Sequence, residues 1–143
     1  VFVSHTTEAK EVDEEQFFSR ATGGGTMASS GLQKVKDIIE KRYHPNNWNI
    51  YTFYCGDGEN WPSDNEESLE LFRYLKEINQ MVCYTEIRDL GKDSISFFNR
   101  FAGEGLWEKI LPLEDKNFKK VRLATHDDIW NSFKKLFGGR PSG

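Results

Sequence analysis

Two nearly continuous apolar runs, "WNIYTFYC" (48–55) and "MVCYTEI" (81–87), flank a segment that carries a single helical stripe. This arrangement constrains the fold more than any other feature of the chain. A strand that is apolar on successive residues must be covered on both faces, as in a parallel sheet between layers of helix. The segment between the runs opens with Ser63 and, three residues later, Glu66, the spacing of a capping box. It then sets Leu71, Leu75 and Ile78 on one face, flanked by Leu69 and Phe72. Strand, helix and strand in this order predict a right-handed βαβ unit.

The pattern extends in both directions. From Ser29 onward, Leu32, Val35, Ile38, Ile39 and Tyr43 recur at a period of 3.6, leaving Lys34, Lys36, Asp37 and Lys41 for solvent. Pro45 ends that helix, because the residue before a proline is pushed away from helical angles. Downstream, "SISFFNRFAGEGLW" (94–107) reads as a short helix and a turn, and "FKKVRL" (118–123) as a last, more exposed strand. Thr125 and Asp128 form a second capping box ahead of "DDIWNSFKKLF", which Gly138 terminates. At the start, "VFVSHTT" is strand-like and "EAKEV" is its hairpin partner, with a turn near Thr7, Glu8 and Ala9. The predicted fold class is α/β, a three-layer, mostly parallel sheet with helices on both faces. One domain spans 1–138 and a flexible tail 139–143.

Composition limits the function. A chain of 143 residues that is 37% hydrophobic and 14% aromatic can build one core. A formal charge of -4 argues against general nucleic-acid binding, which needs basic surface to neutralise phosphates. No apolar run is long enough to span a bilayer, and the first residues lack a basic region followed by an apolar stretch. The expectation is a cytoplasmic protein. Cys55 and Cys83 sit inside the two apolar runs without a CxxC or a nearby histidine, so they read as reduced core residues.

Two loops have the composition of a site. "TGGGTMASSG" (22–31) leads into the first long helix, and "CGDGENW" (55–61) follows the first apolar strand. In an open parallel sheet, ligands bind beyond the carboxyl ends of the strands. The helix after the glycine-rich loop leads into that strand, so its N-terminus lies at the same end, and Thr26 is expected to approach Asp57. A hydroxyl and a carboxylate together suit a hard divalent cation. A phosphate cradle is the weaker reading: a threonine, not a lysine, follows Gly25, and "EQFFSRA" is a poor strand. Two structural alternatives stay open, Thr26 as a helix N-cap and Asp57 as a turn residue before glycine.

Taken together, "VFVSHTTEAKEVDEEQFF", "TGGGTMASSG" and "WNIYTFYCGDGENW" are more specific than any one of them. The chain resembles the YeaH/YhbH family of bacterial proteins, often labelled as sporulation or stress-response proteins, which carry a von Willebrand factor A-like domain. The likeness is dense from Val1 to about Trp61 and sparser beyond. It implies a metal-ion-dependent adhesion site built from three loops: an Asp-x-Ser-x-Ser signature, a threonine and an aspartate. Thr26 matches the second loop and Asp57 the third. The first motif occurs nowhere in the sequence, and in the family it lies on a central strand upstream of the segment matching Val1. The resemblance therefore implies a partial domain that lacks that strand, with Mg2+ bound weakly by two of three ligand groups. It also implies that the hairpin re-pairs with the sheet or that a second copy fills the gap as a homodimer.

Further candidates are fewer. Trp61, with Glu59 beside it, reads as a candidate interaction residue and Trp48 as core; His5 reads first as a hydrogen-bonded structural histidine and second as a ligand or partner residue. Glu11, Asp13, Glu14 and Glu15 form a solvated acidic face that can also dock a basic partner. The function expected is a non-enzymatic protein-interaction module that binds partners through a metal at the sheet edge. By family context, the partner is a PrkA-type serine kinase. The alternatives are a metal-assisted phosphohydrolase using Asp57 or a purely structural scaffold. No nucleophile paired with a base is visible to support the enzyme.

Overall fold

The computed structural model describes residues 1–19, 26–88 and 105–138. Strands β1 (Phe2–His5) and β2 (Ala9–Val12) form an antiparallel hairpin in which Phe2 faces Val12 and His5 faces Ala9. Helix α1 (Glu14–Ser19) follows, and its Phe17 and Phe18 pack on Phe2 at 5.1 and 5.8 Å between ring centroids. Helix α2 (Ala28–Arg42) then leads to β3 (Tyr51–Gly56), α3 (Asn65–Ile78) to β4 (Met81–Ile87), and α4 (Leu106–Lys109) to β5 (Phe118–Leu123). Helix α5 (His126–Phe137) closes the described chain. Strands β3, β4 and β5 form a parallel sheet in that order, with Tyr51 opposite Met81 and Val82 opposite Phe118. The predicted α/β architecture with a parallel sheet flanked by helices is what the structure contains.

The core is aromatic. Tyr54, Phe72, Tyr84 and Phe118 are all buried. Tyr54 and Tyr84 stack with planes 7° apart, and Phe72 meets Tyr54, Tyr84 and Phe118 edge to face at 5.5–5.8 Å. Leu32 and Ile39 of α2 and Leu71 and Leu75 of α3 complete this cluster on one face of the sheet. On the opposite face Phe137 of α5 approaches Phe53, with centroids 6.2 Å apart.

Several expectations are corrected. "WNIYTFYC" was expected to be covered on both faces, but Tyr51, Phe53 and Cys55 are exposed while Thr52 and Tyr54 are buried. β3 buries only the face that carries Thr52 and Tyr54, against the helices, whereas the central strand β4 is buried on both faces. Trp48 precedes β3 and is 54% exposed, edge-on to Tyr43, instead of in the core. "FKKVRL" was expected to be the exposed strand, yet Phe118, Lys120 and Val121 are buried. The Lys120 ammonium reaches that environment by donating to the Trp107 carbonyl at 3.0 Å and lying 4.0 Å over its ring.

The Ser63–Glu66 capping box does not form. A 3-10 turn at Pro62–Asp64 runs directly into α3, so Asp64 takes the cap position, and Glu66 pairs with Lys109 at 2.8 Å. The Thr125–Asp128 box does form, and Gly138 caps the end of α5 as expected. The hairpin does not re-pair with the sheet: among the described residues β1 and β2 pair only with each other. Residues 20–25, most of 94–107 and the tail 139–143 lie outside the described residues.

Candidate functional site

Backbone hydrogen bonds stitch three segments together at the N-terminus of α2. The Met27 N–H donates to the Thr6 carbonyl of the hairpin turn at 3.0 Å, and the Trp61 N–H donates to the Thr26 carbonyl at 3.2 Å. The loop after β3 therefore does meet the segment before α2, at the carboxyl end of the parallel sheet.

The first turn of a helix has N–H groups with no partner inside the helix. Here they are satisfied by residues from the β3–α3 connection. Ala28 N–H donates to Asn60 Oδ1 at 2.8 Å, and Ser29 N–H donates to Asp64 Oδ2 at 3.1 Å. The hydroxyls of Ser29 and Ser68 also donate to the two Asp64 oxygens. Asp64 is 2% exposed. Burial alone would raise its pKa, but the bonds from Ser29, Ser68 and Asn60 outweigh it and hold the carboxyl below the usual range. A helix N-terminus is a ready seat for phosphate, but in this one a carboxylate of the protein already takes that place. This tells against the phosphate-cradle reading of the glycine-rich loop, whose residues 23–25 lie outside the described residues.

The two metal candidates sit at this edge. Thr26 is half-buried, and Met27, not Thr26, occupies the N-cap of α2, without a side-chain cap. The cap alternative for Thr26 is thereby removed. Asp57 is exposed, and its Oδ1 accepts the Glu59 N–H at 3.0 Å, the geometry of an Asx turn. Gly58 continues that turn at φ +85°, and a Cβ there would come within 2.8 Å of Glu86 Cδ. Gly58→Ala therefore meets both a disfavoured backbone angle and a clash. It is expected to destabilise the chain by about 1–3 kcal/mol, measurable by urea unfolding.

Glu86, at the carboxyl end of β4, was not singled out by the sequence. It is 3% exposed and accepts from Arg88 at 2.7 Å and Arg122 at 3.0 Å, so its charge is spent on two guanidinium groups. Among the described residues no group of three or more His, Cys, Asp or Glu is placed to hold a metal ion. Thr26 and Asp57 offer two donors, whereas Mg2+ demands near-octahedral coordination by oxygen. The residues present do not fit a bound ion on their own.

The interaction candidates divide. Trp61 is 48% exposed, and its backbone is fixed between Thr26 and Asp64, whose N–H donates to the Trp61 carbonyl at 2.8 Å. Glu59 is exposed beside it. His5, by contrast, lies inward: its ring is 5.3 Å from that of Tyr54 and closes against Gly31 of α2. Its Nδ1 is buried without a hydrogen-bond partner. Burial lowers the His5 pKa, and the backbone at Met27 and Thr6 only partly offsets this.

The sign of the resulting pH dependence follows. The unfolded chain takes up a proton at His5 near pH 6.5, while the folded chain resists it, so folded stability falls as pH drops below about 6.5. Melting temperatures between pH 7.5 and 5.5 should fall more steeply in the native chain than in His5→Gln.

Comparison with known proteins agrees on one family. A family model described as "Protein of unknown function (DUF444)" matches residues 1–140. A UPF0229 protein of Ruminiclostridium cellulolyticum is 39% identical over 137 residues, covering 95% of this chain and 32% of its own length. One from Sinorhizobium medicae is 40% identical over 144 residues, covering 99% of this chain and 33% of its own. One from Clostridium perfringens is 38% identical over 135 residues, covering 94% and 32%. The chain thus spans about a third of the length of the curated relatives it matches. No solved structure matches the chain.

Proposed function

We propose that this chain, which belongs to the DUF444 family of proteins of unknown function, is part of a von Willebrand factor A-like protein-interaction module whose working face is the carboxyl end of its parallel sheet. The observation that carries the reading is the convergence there of the Thr26 segment and the Asp57 loop, joined by the Trp61-to-Thr26 backbone bond, with Trp61, Asp57 and Glu59 exposed. A half-exposed tryptophan on a fixed backbone, rimmed by carboxylates, is the kind of anchor that protein interfaces use.

In this reading Thr26 and Asp57 supply two of the oxygen donors for a divalent cation, and the remaining donors come from outside the described residues. The chain by itself then binds Mg2+ or Mn2+ only weakly, because two donors leave most of the coordination sphere to water. The partner is a protein that presents a carboxylate to the open position. The PrkA-type kinase remains the expectation that the sequence resemblance attaches to this partner. Enzymatic hydrolysis is the less favoured reading, since among the described residues no nucleophile–base pair accompanies Asp57 at this edge.

Manganese tests the reading on the chain itself. Mn2+ should broaden the amide signals of Thr26, Asp57 and Glu59 only in the millimolar range, and Asp57→Ala should remove the effect. That variant should leave stability within about 1 kcal/mol of the native chain, because Asp57 is an exposed turn residue. Broadening that survives Asp57→Ala would place the cation elsewhere and reject the site.

A further inference from the structure

Helix α5 is turned with its polar side toward the sheet. Asp128, Asn131, Ser132 and Lys135 recur on one face of the helix and line a cleft of about 360 Å3 against β5, while Ile129, Trp130 and Phe133 point away and are exposed. Lys120 and Arg122 of β5 and Trp107 of α4 complete the cleft. It follows a free sheet edge, since among the described residues β5 pairs with β4 alone. Successive residues of a parallel strand turn their backbone groups to opposite sides. The carbonyls of Asn117 and Leu123 accept from Val82 and Arg88 on the β4 side. Lys120 and Arg122 therefore turn their backbone outward, and the Lys120 carbonyl accepts from Lys135 Nζ at 2.7 Å.

Positive charge gathers here on a chain whose formal charge is -4. Lys120 is 2% exposed, and its ammonium is partnered by a carbonyl and the face of an indole ring. Among the described residues no carboxylate pairs with it. The Arg122 guanidinium lies 3.8 Å over the same ring. Buried charges normally have a counter-charge. Burial pushes the Lys120 pKa down, and Arg122 and Lys135 push it the same way against Glu114 and Glu108.

The nearby carboxylates are committed elsewhere. Asp128 Oδ2 accepts the Ala124 and Thr125 N–H groups at 2.9 and 2.8 Å. Glu86 holds Arg122 through Nε, which leaves both Nη groups without a partner among the described residues. Glu114 lies 3.5 Å from Lys135, a loose pair at an exposed position. The side chains of Asn131 and Ser132 carry no hydrogen bond among the described residues.

We propose that this cleft binds the dianionic phosphoryl group of a small soluble molecule, held by Arg122 and Lys135 above the buried Lys120. The guanidinium supplies a planar fork and the ammonium a point charge, the pairing by which proteins hold phosphate. Three cations around one position favour a charge of -2 over a single carboxylate. The volume suits a small molecule, at the lower end of a range of about 300–1,000 Å3. A lipid headgroup fits less well, because the exposed apolar residues of α5 lie on the side of the helix away from the cleft. The inference is independent of the cation reading, since Thr26, Asp57 and Trp61 do not line the cleft.

The test is a calorimetric titration of a family-length protein containing this sequence, with pyrophosphate as the probe. A chelator is present, so that no metal site contributes, and sodium chloride holds ionic strength constant. The expected result is one saturable event per chain, weakened at least about 10-fold by Arg122→Gln and by Lys135→Gln. Lys135 is 54% exposed, so its variant keeps the fold and the circular dichroism of the native protein. Inorganic phosphate should compete for the same site. An absence of saturable heat would overturn the proposal. So would pyrophosphate binding that both variants leave unchanged, which would place the anion elsewhere. Binding to phosphatidic acid vesicles without any response to pyrophosphate would overturn the soluble ligand.

Discussion

Replacing Phe72 with alanine lowers the stability of the chain by about 3–5 kcal/mol, the usual cost of deleting a buried phenylalanine. Phe72 is 0% exposed and is the ring on which Tyr54, Tyr84 and Phe118 converge from all three parallel strands. Its removal forfeits three edge-to-face contacts at once, and the surrounding rings, fixed to separate strands, cannot collapse into the space. With a total stability of about 5–15 kcal/mol for a domain of this kind, the loss amounts to a fifth or more. Thermal unfolding should show a midpoint lower by at least about 10 °C. The control is Trp48→Ala. That tryptophan is 54% exposed and touches Tyr43 edge-on, so its loss should cost less than about 1 kcal/mol. If the two variants were equally destabilised, the packing described for β3 and its approach would be wrong.

Asp64→Ala is the second large effect. It leaves the Ser29 N–H and the Ser29 and Ser68 hydroxyls without an acceptor in a buried position. Each unsatisfied buried donor is costly, and the N-terminus of α2 loses a cap at the same time. The expected loss is about 2–4 kcal/mol, read from urea unfolding. Asp64→Asn keeps one acceptor oxygen and should lose less. The pH dependence separates charge from shape. Asp64 has a folded pKa below its unfolded value near 3.9. Its contribution is therefore complete above about pH 4 and is lost as pH falls through the folded pKa. Acid unfolding of Asp64→Asn lacks that component.

What the sequence revealed and what it concealed have separate physical causes. Periodicity found the long elements: α2 and α3 bury one stripe each and β4 is buried on both faces, while α5 carries an amphipathic stripe with its Ile129, Trp130, Phe133 and Phe137 exposed. It misjudged β3 and β5 because an apolar run reports what a strand needs covered, not which neighbour is present to cover it. Tyr51 and Phe53 are apolar yet exposed, while Lys120 is charged yet buried on a carbonyl and an indole ring. The loops followed a different logic. Asp57 was legible because Asp-Gly after an apolar strand marks a carboxyl-end turn. Asp64 was not, because its role depends on Ser29 and Ser68, one of which is distant in sequence and both of which look like ordinary helix-start serines. Its only local trace was a Ser-Asp-Asn run that also fits a capping box, and the 3-10 turn moved the cap by one residue.

The edge proposed as the working face is assembled by backbone geometry. The hairpin turn, the α2 entry and the β3 loop are tied by Met27-to-Thr6 and Trp61-to-Thr26 bonds, and Asp64 locks the helix beneath them. On the proposed reading, such an arrangement would position the Asp57–Trp61 loop before a partner binds and so reduce the ordering cost of binding.

The measurement that bears most directly on the central claim is a magnesium titration of a family-length protein containing this sequence, followed through the amide signals of Thr26 and Asp57. Saturable shifts at both positions, abolished by Asp57→Ala, are the predicted result and would place the cation at the carboxyl end of the sheet. An absence of shifts in the family-length protein would contradict the account, leaving Asp57 as a turn residue and Thr26 as a link in the backbone.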